Sequence, residues 1–248
     1  MNTAGWHAQR RSFGAAADLY NRARPRYPTP AIAWAIGDRP GRVLDLGAGT
    51  GILTRQLMER GHSVTAVEPN EQMLAALTAN SPGATPLLGS AERIPLADGS
   101  VDAVVAGQAY HWFDPTAAPD EIARVLRPHG VFAAIWNPRD ASASWVGALS
   151  ELLAQLEDDS RKGLADYSFG ARFEPVERAE FRHEVGYTVD SLIELVRSRS
   201  YYLTAPADRR ATIEAEIRDL VAGHPDLSGR TEFTMPYVTV VLRARRAG

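Results

Sequence analysis

The stretch Val43-Leu44-Asp45-Leu46-Gly47-Ala48-Gly49-Thr50-Gly51 predicts how this chain folds. Its first residues are mostly apolar, as expected of a strand buried in the middle of a parallel sheet. The three glycines that follow leave a turn without Cβ atoms, in which a ligand can approach the backbone. A helix beginning near Thr50 would point its free N–H groups at that ligand. The stretch therefore predicts a strand, a ligand-binding turn and a helix.

The spacing of the glycines distinguishes two classes of cofactor site. The dinucleotide fingerprint Gly-x-Gly-x-x-Gly would need its third glycine at the position of Ile52. The observed pattern, Asp-x-Gly-x-Gly-x-Gly from Asp45 to Gly51, instead resembles the first motif of the class I S-adenosylmethionine-dependent methyltransferases. In that family the glycine loop passes beside the amino-acid part of the cofactor. The resemblance implies S-adenosyl-L-methionine as the cofactor and S-adenosyl-L-homocysteine as its product.

The composition excludes several kinds of chemistry. The chain has no cysteine, so it cannot form disulfides, thiolate metal sites or the cysteine adduct needed to methylate carbon 5 of cytosine. Its net charge of -3 gives no overall attraction to nucleic acid or to anionic membranes. The N-terminus has no apolar leader, and no run is long enough to cross a bilayer. We therefore predict a cytoplasmic protein that needs no metal and binds no membrane; the oligomeric state stays open.

Strand and helix patterns alternate with short connections through the first half of the chain. Strands are predicted over residues 43–46, Ser63–Val67, Thr85–Leu88, Val101–Ala106 and Val131–Trp136. This alternation is typical of a parallel sheet with helices on both faces. Two later strand patterns, Phe181–Val189 and Thr234–Leu242, are expected at one edge of the sheet. The sequence thus predicts an α/β fold with a doubly wound, mostly parallel, seven-stranded, Rossmann-like sheet and helical cap insertions.

Three regions are expected within the 248 residues. Residues 1–30 are polar and form an N-terminal leader or lid. Residues 31–140 form the cofactor-binding core. Residues 141–248 supply helical cap segments and the edge strands that complete the same sheet, with a solvated charged run at Glu157–Lys162.

Four predicted strand ends carry groups suited to a cofactor. Besides the glycine loop, they are Glu68 after the second strand, Ser90–Glu92 after the third and Gln108–Trp112 after the fourth. Ligands of open α/β sheets bind at the carboxyl ends of the strands, where these groups converge. An acid at the position of Glu68 can accept hydrogen bonds from both hydroxyls of a ribose.

The resemblance to the methyltransferases implies a role for each of these positions. In that family the loop after the third strand covers the adenine, and the segment after the fourth lies nearest the transferable methyl. Many small-molecule members also carry a leader Tyr-x-x-x-Arg-Pro-x-Tyr-Pro, here Tyr20 to Pro28, that folds over the cofactor. The predicted cofactor-binding residues are Tyr20, Arg24, Tyr27, Asp45, Gly47, Ala48, Gly49, Gly51, Glu68, Pro69, Met73, Ser90, Ala91, Glu92, Gln108, Ala109, Tyr110 and Trp112.

His111 is the best-placed candidate for a role in the reaction. Because a sulfonium cation is attracted to aromatic faces, Tyr110 and Trp112 are candidate contacts for it, although adjacent aromatic residues can also be core. If the acceptor is a hydroxyl or an amine, His111 would act as a general base. A carboxylate acceptor needs no base, and His111 would then bind or orient it. His111 and Trp112 are accordingly also candidate substrate contacts.

The segment after the fourth strand favours a small-molecule acceptor. Family members that methylate the amino group of a flipped base carry Asn/Asp-Pro-Pro-Tyr/Phe there, whereas this chain has Gln108-Ala109-Tyr110-His111. The sequence is closer to type 11 methyltransferases similar to trans-aconitate methyltransferase, a carboxyl O-methylating enzyme. In the cap, Arg199 and Tyr202 are candidate contacts for an acidic or phenolic acceptor, or else belong to a solvated helix end.

The sequence as a whole predicts methyl transfer to a small molecule at a hydroxyl or carboxylate oxygen. Two alternatives remain open. One is a methyltransferase acting on RNA or protein, against which the negative net charge argues. The other is a catalytically silent cofactor-binding module.

Overall fold

The structure is a computed structural model that describes residues 17–154 and 168–248. Residues 1–16 of the predicted leader and the predicted solvated run at 157–162 lie outside the described residues.

Helices and strands alternate along the described part of the chain. The strands are Arg42–Leu46 (β1), Ser63–Glu68 (β2), Thr85–Leu88 (β3), Val101–Gly107 (β4), Leu126–Trp136 (β5), Glu177–Tyr187 (β6) and Phe233–Arg245 (β7). The helices are Ala17–Ala23 (α1), Thr29–Ile36 (α2), Ile52–Glu59 (α3), Glu71–Asn80 (α4), Ala117–Val125 (α5), Ser144–Ala154 (α6), Val189–Arg197 (α7), Ser200–Thr204 (α8) and Ala207–Gly223 (α9). One turn of 3-10 helix, Tyr110–Trp112, follows β4.

The strands form one seven-stranded sheet in the order β3-β2-β1-β4-β5-β7-β6. β1 pairs in parallel with both β2 and β4, and β7 pairs antiparallel with β5. The predicted doubly wound, mostly parallel sheet is confirmed, and the two late strands lie at one edge as expected. Strand order reverses between β1 and β4, and sheets of this kind bind ligands beyond the strand ends at such a point.

The chain groups into two compact units. We call residues 26–137, 168–181 and 239–248 the sheet unit, and residues 17–25, 138–154 and 182–238 the cap unit. The sheet unit has one apolar cluster around Leu44, Val104 and Phe132 and another around Ile32, Leu57 and Ile135. The cap unit has a core of its own, built from apolar side chains of α6, α7, α9 and β7. None of the helices in the described ranges is both long and apolar enough to cross a bilayer.

Two sequence-based boundaries differ from the structure. The sequence predicts a helix that is opened by Asp114-Pro115 and Pro119, runs to Leu126 and is stopped by Pro128-His129-Gly130. In the structure α5 ends at Val125, and Pro128, His129 and Gly130 lie in β5. His129 has a φ of 60°, and the pairing of β4 with β5 shifts register there, so an irregular strand start accommodates the proline. The sequence also predicts a helix over Ser191–Tyr202. In the structure this stretch is interrupted, because Arg199 has an extended backbone between α7 and α8.

Candidate active site

The glycine loop between β1 and α3 requires glycine by its backbone conformation. Gly47, Gly49 and Gly51 have φ values of 70°, 57° and 84°, in the left-handed region that favours residues without a Cβ atom. The N–H groups of Gly47 and Ala48 donate to the carbonyl oxygen of Val67 in β2 at 2.8 and 3.1 Å. The loop is therefore fixed against the neighbouring strand, with α3 beginning directly after it.

A close approach joins the glycine loop to the segment after β4. A Cβ atom built on Gly47 would lie 2.7 Å from the Cβ atom of Ala109. Ala109 is buried, so its methyl group already fills the space that a side chain at position 47 would need. Two stretches that were predicted separately as cofactor-binding thus lie against each other.

Glu68 connects the glycine loop to the start of α4. Its Oε2 accepts a hydrogen bond from the N–H of Gly49, and its Oε1 accepts one from the N–H of Asn70, both at 2.9 Å. Asn70 in turn caps α4 by accepting from the N–H of Met73 at 3.0 Å. A carboxylate oxygen has more than one lone pair, so Glu68 can hold this loop and still accept hydrogen bonds from a ligand.

Two more of the predicted cofactor residues lie beside Glu68. The Sδ atom of Met73 would lie 3.9 Å from a Cβ atom built on Gly49, which places the buried Met73 side chain under the loop. Pro69 is exposed at the end of β2.

Asp45 is a buried carboxyl group in the middle of β1. It is 1% exposed, and the hydroxyl of Thr54 donates to its Oδ2 at 2.6 Å. The pKa of Asp45 is raised to about 7, chiefly by burial and also by the nearby charge of Glu68, although the hydrogen bond from Thr54 acts in the opposite direction. These contacts tie β1 to α3, a role that the motif alone did not indicate because Thr54 lies outside it.

We expect Asp45 to make the stability of the protein depend on pH. Because its folded pKa lies above its unfolded value of 3.8, the folded state holds a proton that the unfolded state loses, and stability falls as the pH rises from about 4 to about 7. Between pH 5 and pH 8 this contribution is on the order of 3 kcal/mol. Urea unfolding of the wild type and of Asp45→Asn at both pH values measures it.

In that experiment Asp45→Asn keeps an acceptor for Thr54 but has no proton to lose. The difference in unfolding free energy between the two proteins should therefore move in favour of the variant as the pH is raised. A difference that is the same at pH 5 and pH 8 would show that Asp45 is ionised throughout.

The loop after β3 is joined to the segment after β4. Oε1 of Glu92 accepts a hydrogen bond from the N–H of Asp114 at 3.0 Å. Ala91 is buried in the core of the sheet unit, and Ser90 pairs with Arg93 in an isolated bridge. Glu92 therefore joins this loop to the segment after β4, while the side chain of Ala91 is packed in the core.

The residues directly after β4 adopt an unusual conformation. Gln108 has a φ of 56°, which is uncommon for a residue other than glycine, and its N–H donates to the carbonyl oxygen of Ile135 at 2.8 Å. Backbone strain of this kind persists where surrounding structure enforces it, and it concentrates at functional sites. The strained residue is one of those predicted to contact the cofactor.

The structure separates the three ring-bearing residues of this segment. Tyr110 is 5% exposed, its ring centroid lies 5.2 Å from that of Phe132 and 5.3 Å from that of Phe169, and its hydroxyl donates to the carbonyl oxygen of Ser168. Tyr110 is thus a core residue, which favours the packing alternative for this position. His111 and Trp112 are only half-buried.

His111 has a partner that the sequence did not indicate. The indole N–H of Trp136, at the carboxyl end of β5, donates to Nδ1 of His111 at 3.3 Å. Since Nδ1 accepts this bond, the proton of the neutral imidazole resides on Nε2. The structure therefore presents His111 as a hydrogen-bond donor at Nε2. The position of Trp136 at the end of the strand next to β4 was the signal that could have identified it.

Tyr27 is the leader residue that the structure places in the sheet unit. Its backbone N–H donates to Oε1 of Gln56, and Nε2 of Gln56 donates to its carbonyl oxygen at 2.7 Å. A Cβ atom built on Gly107 would lie 2.7 Å from the Tyr27 hydroxyl oxygen. The Tyr27 side chain therefore covers the end of β4, one residue before Gln108.

The other leader residues and the predicted acceptor contacts belong to the cap unit. The guanidinium of Arg24 donates through Nε to the hydroxyl of Ser198 at 3.0 Å and lies over the Tyr20 ring at 4.5 Å. The Tyr202 hydroxyl donates to Glu214, which also binds Arg197. Tyr202 is buried and holds α8 to α9, so it has a structural partner already.

Comparison with known proteins gives consistent matches. A family model for a methyltransferase domain matches residues 44–134. A protein of Mycobacterium tuberculosis described as an uncharacterised methyltransferase is 45% identical over 236 residues, covering 95% of this chain and 96% of its own. Another of Schizosaccharomyces pombe is 31% identical over 92% of this chain and 94% of its own. A solved structure from Anaeromyxobacter dehalogenans, described as a type II methyltransferase, has a TM-score of 0.69 and 28% identity over 90% of this chain and 97% of that one.

Proposed function

The chain belongs to the class I S-adenosylmethionine-dependent methyltransferases, and from this premise we propose that it transfers a methyl group from S-adenosyl-L-methionine to a carboxylate oxygen of a small molecule. The observation that carries the choice of acceptor is the hydrogen bond from Trp136 to Nδ1 of His111.

The residues of the sheet unit suit this cofactor. The glycine loop offers a backbone free of Cβ atoms for the amino-acid part, and the carboxylate of Glu68 offers lone pairs to the ribose hydroxyls. The backbone at Ala91 would lie against the adenine, and Trp112 would face the sulfonium. Fixed contacts among these loops support the proposal, since a pocket that is organised before binding loses less entropy when the ligand arrives.

His111 would orient the acceptor rather than deprotonate it. An alcohol or amine must lose a proton during methylation, and a base at this position would need a lone pair on Nε2. With the proton on Nε2, His111 can instead donate a hydrogen bond to a carboxylate oxygen, which needs no deprotonation near neutral pH.

When bound, the cofactor supplies a methyl group activated by its sulfonium. The chain's own residues would hold the carboxylate in line with that methyl and exclude water, which accounts for much of the rate of such a displacement. Because one carboxylate oxygen forms the new bond to carbon, the donor at Nε2 would be expected to bind the other oxygen.

Relatives named for different acceptors match this chain over half of its length or less. A malonyl-[acyl-carrier protein] O-methyltransferase of Methylococcus capsulatus is 38% identical over 49% of this chain. A demethylmenaquinone methyltransferase of Beutenbergia cavernae is 40% identical over 39% of it. These partial matches do not identify an acceptor, so the proposed carboxylate rests on His111.

We expect His111→Gln to retain more turnover than His111→Ala, because the glutamine amide can still donate a hydrogen bond. The loss in His111→Ala should be about 10-fold or more, the value of a hydrogen bond to a charged group. The pH profile of kcat decides between donor and base. If His111 is a donor, wild type and His111→Gln share one profile between pH 5.5 and 8, whereas disappearance of an acidic limb in the variant would assign it as the base.

The proposed function is tested with cofactor labelled in its methyl group and a panel of small acids, phenols and amines. A carboxyl product is a methyl ester, which mild alkali hydrolyses to labelled methanol, whereas methyl ethers and methylamines survive. Alkali-stable label would overturn the carboxylate assignment. Label found only in RNA or protein, or cofactor binding without transfer to any acceptor, would favour the two alternatives.

A further inference from the structure

The loop between β3 and β4, residues 89–100, joins the two strands through turns, bends and one isolated bridge. Ile94 in this loop is buried in the core of the sheet unit, and Leu96 packs against the same core. Buried backbone groups outside regular secondary structure need hydrogen-bond partners from elsewhere in the fold. For this loop, side chains of α5 supply them.

Arg124, on α5, holds the loop through its guanidinium. Its Nε and Nη2 atoms donate to the two carboxylate oxygens of Glu121 at 2.7 and 2.8 Å. Nη2 also donates to the carbonyl oxygen of Ile94 at 2.9 Å. Nη1 donates to the carbonyl oxygen of Leu96 at 2.8 Å and to Oδ1 of Asp98 at 2.7 Å. A guanidinium has five N–H donors in one plane, and these acceptors use all of them.

Glu121 binds the same loop from the same helix. Its Oε2 accepts a hydrogen bond from the N–H of Ile94 at 2.9 Å, so the two side chains bind both backbone polar groups of that residue. The hydrogen bond from Arg124 lowers the pKa of Glu121, which keeps the pair ionised at neutral pH. At the far end of the loop, the N–H of Gly99 donates to the backbone carbonyl oxygen of Arg124 at 2.9 Å. The loop is therefore attached to α5 at several points.

The attached part of the loop directly follows the residues expected to cover the adenine. Ala91 and Glu92 come just before Ile94 in the chain, and Glu92 accepts a hydrogen bond from the N–H of Asp114. The backbone around Ala91 is thus held from the segment after β4 and from α5. A loop that is held in its binding conformation loses less entropy when the ligand arrives.

We propose that Arg124, together with Glu121, is a positioning residue that fixes the loop after β3 in the conformation that recognises the adenine of the cofactor. It acts through the backbone of Ile94 and Leu96 rather than by contact with the cofactor. This inference rests on the proposed function for the identity of the ligand, whereas the attachment of the loop to α5 stands on contacts within the sheet unit.

Amide hydrogen exchange of the full chain without ligand, followed by mass spectrometry, tests the attachment. In Arg124→Met, amides of residues 91–99 should exchange about 10-fold faster, the loss expected for hydrogen bonds to a charged group, while those of β1 exchange as in the wild type. Arg124→Lys should resemble Arg124→Met, because an ammonium keeps the charge but lacks the planar set of five donors. Wild-type exchange in both variants, or faster exchange of equal size throughout the sheet unit, overturns the positioning role.

Calorimetric titration with S-adenosyl-L-homocysteine and S-inosyl-L-homocysteine tests the link to adenine. The second compound has an oxygen where adenine has its amino group, so the ratio of the two affinities measures how well the base is recognised. In Arg124→Met, the affinity for S-adenosyl-L-homocysteine should fall about 10-fold and the preference for it should shrink. A purely structural role would lower stability and leave the ratio unchanged, and that result overturns the proposal.

Arg172→Met is the matched control, because it removes a guanidinium that binds the exposed Asp120 on the same helix at 3.2 Å. Its loop exchange and its preference between the two compounds should equal those of the wild type. Glu121→Gln, which keeps an acceptor for the N–H of Ile94, should retain more of the preference than Glu121→Ala. A wild type that binds neither compound overturns the proposed function and with it adenine as the ligand, while the exchange data still decide whether α5 holds the loop.

Discussion

Gly47→Ala should weaken cofactor binding, with the affinity for S-adenosyl-L-homocysteine falling by about 10-fold or more. The new methyl group would lie 2.7 Å from the Cβ atom of Ala109, so either the glycine loop or the segment after β4 has to move. Both stretches would contact the cofactor, and a shift of either changes the pocket. Calorimetric titration with S-adenosyl-L-homocysteine measures the effect, and urea unfolding measures the accompanying loss of stability.

Gly37→Ala separates the steric effect from the backbone effect. Gly37 has a φ of 83°, and a Cβ atom there would meet nothing within 4 Å. Both variants therefore place an alanine at a positive φ, which is strained in either case, but only Gly47→Ala adds the collision. Ala109→Gly in the Gly47→Ala background removes the colliding atom and should restore binding. If the double variant binds no better than Gly47→Ala, the contact with Ala109 is not the cause.

Glu68→Ala should weaken cofactor binding to an extent similar to Gly47→Ala. It should disturb the glycine loop more than Gly47→Ala does. The change removes the acceptors for the N–H groups of Gly49 and Asn70 together with the oxygens that would bind the ribose. Hydrogen bonds to a buried charged group contribute about 1.5–3 kcal/mol each, so we expect an affinity loss of roughly 100-fold and a measurable loss of stability. Calorimetric titration measures the affinity, and urea unfolding of the same samples measures the stability.

Glu71→Ala is the control for Glu68→Ala, since it removes an exposed acid three residues later at the start of α4. It should leave cofactor affinity unchanged. Glu68→Gln should resemble Glu68→Ala more than the wild type, because the amide offers one acceptor where two backbone N–H groups need one each. Wild-type affinity in Glu68→Ala would remove Glu68 from the cofactor site.

The sequence was most informative where chemistry and backbone geometry coincide. The glycines of the first loop identified the strand, the turn and the helix, because left-handed backbone at Gly47, Gly49 and Gly51 tolerates little else. The order of strand and helix patterns then predicted a seven-stranded, mostly parallel sheet, which the structure confirms. Capping of α4 by Asn70 depends only on adjacent residues, which is a kind of contact that a sequence can indicate.

The sequence was least informative where a role depends on a distant partner. Tyr110 and His111 are neighbours with similar local signals, yet packing against Phe132 buries the first while Trp136 orients the second. Local patterns do not reveal which strand end supplies such a partner.

The cap shows the same limit for polar groups. Tyr202 was a candidate for the acceptor but is bound to Glu214, whereas the hydroxyls of Tyr187 and Tyr237, 50 residues apart in the chain, meet in the fold. The strand patterns predicted the strands that carry the two tyrosines, but they did not indicate that the hydroxyls would be in contact.

The position of β7 has a consequence for how the protein is made. β7 lies between β5 and β6 in the sheet, although it is the last of the strands to leave the ribosome. Until it is synthesised, the hydrogen-bonding edge of β5 stays open, and β6 has no neighbour to join. The nascent chain can assemble β1 to β5 early. The edge of β5 then stays unpaired while about a hundred further residues are synthesised, and during that time pairing with another chain competes with folding.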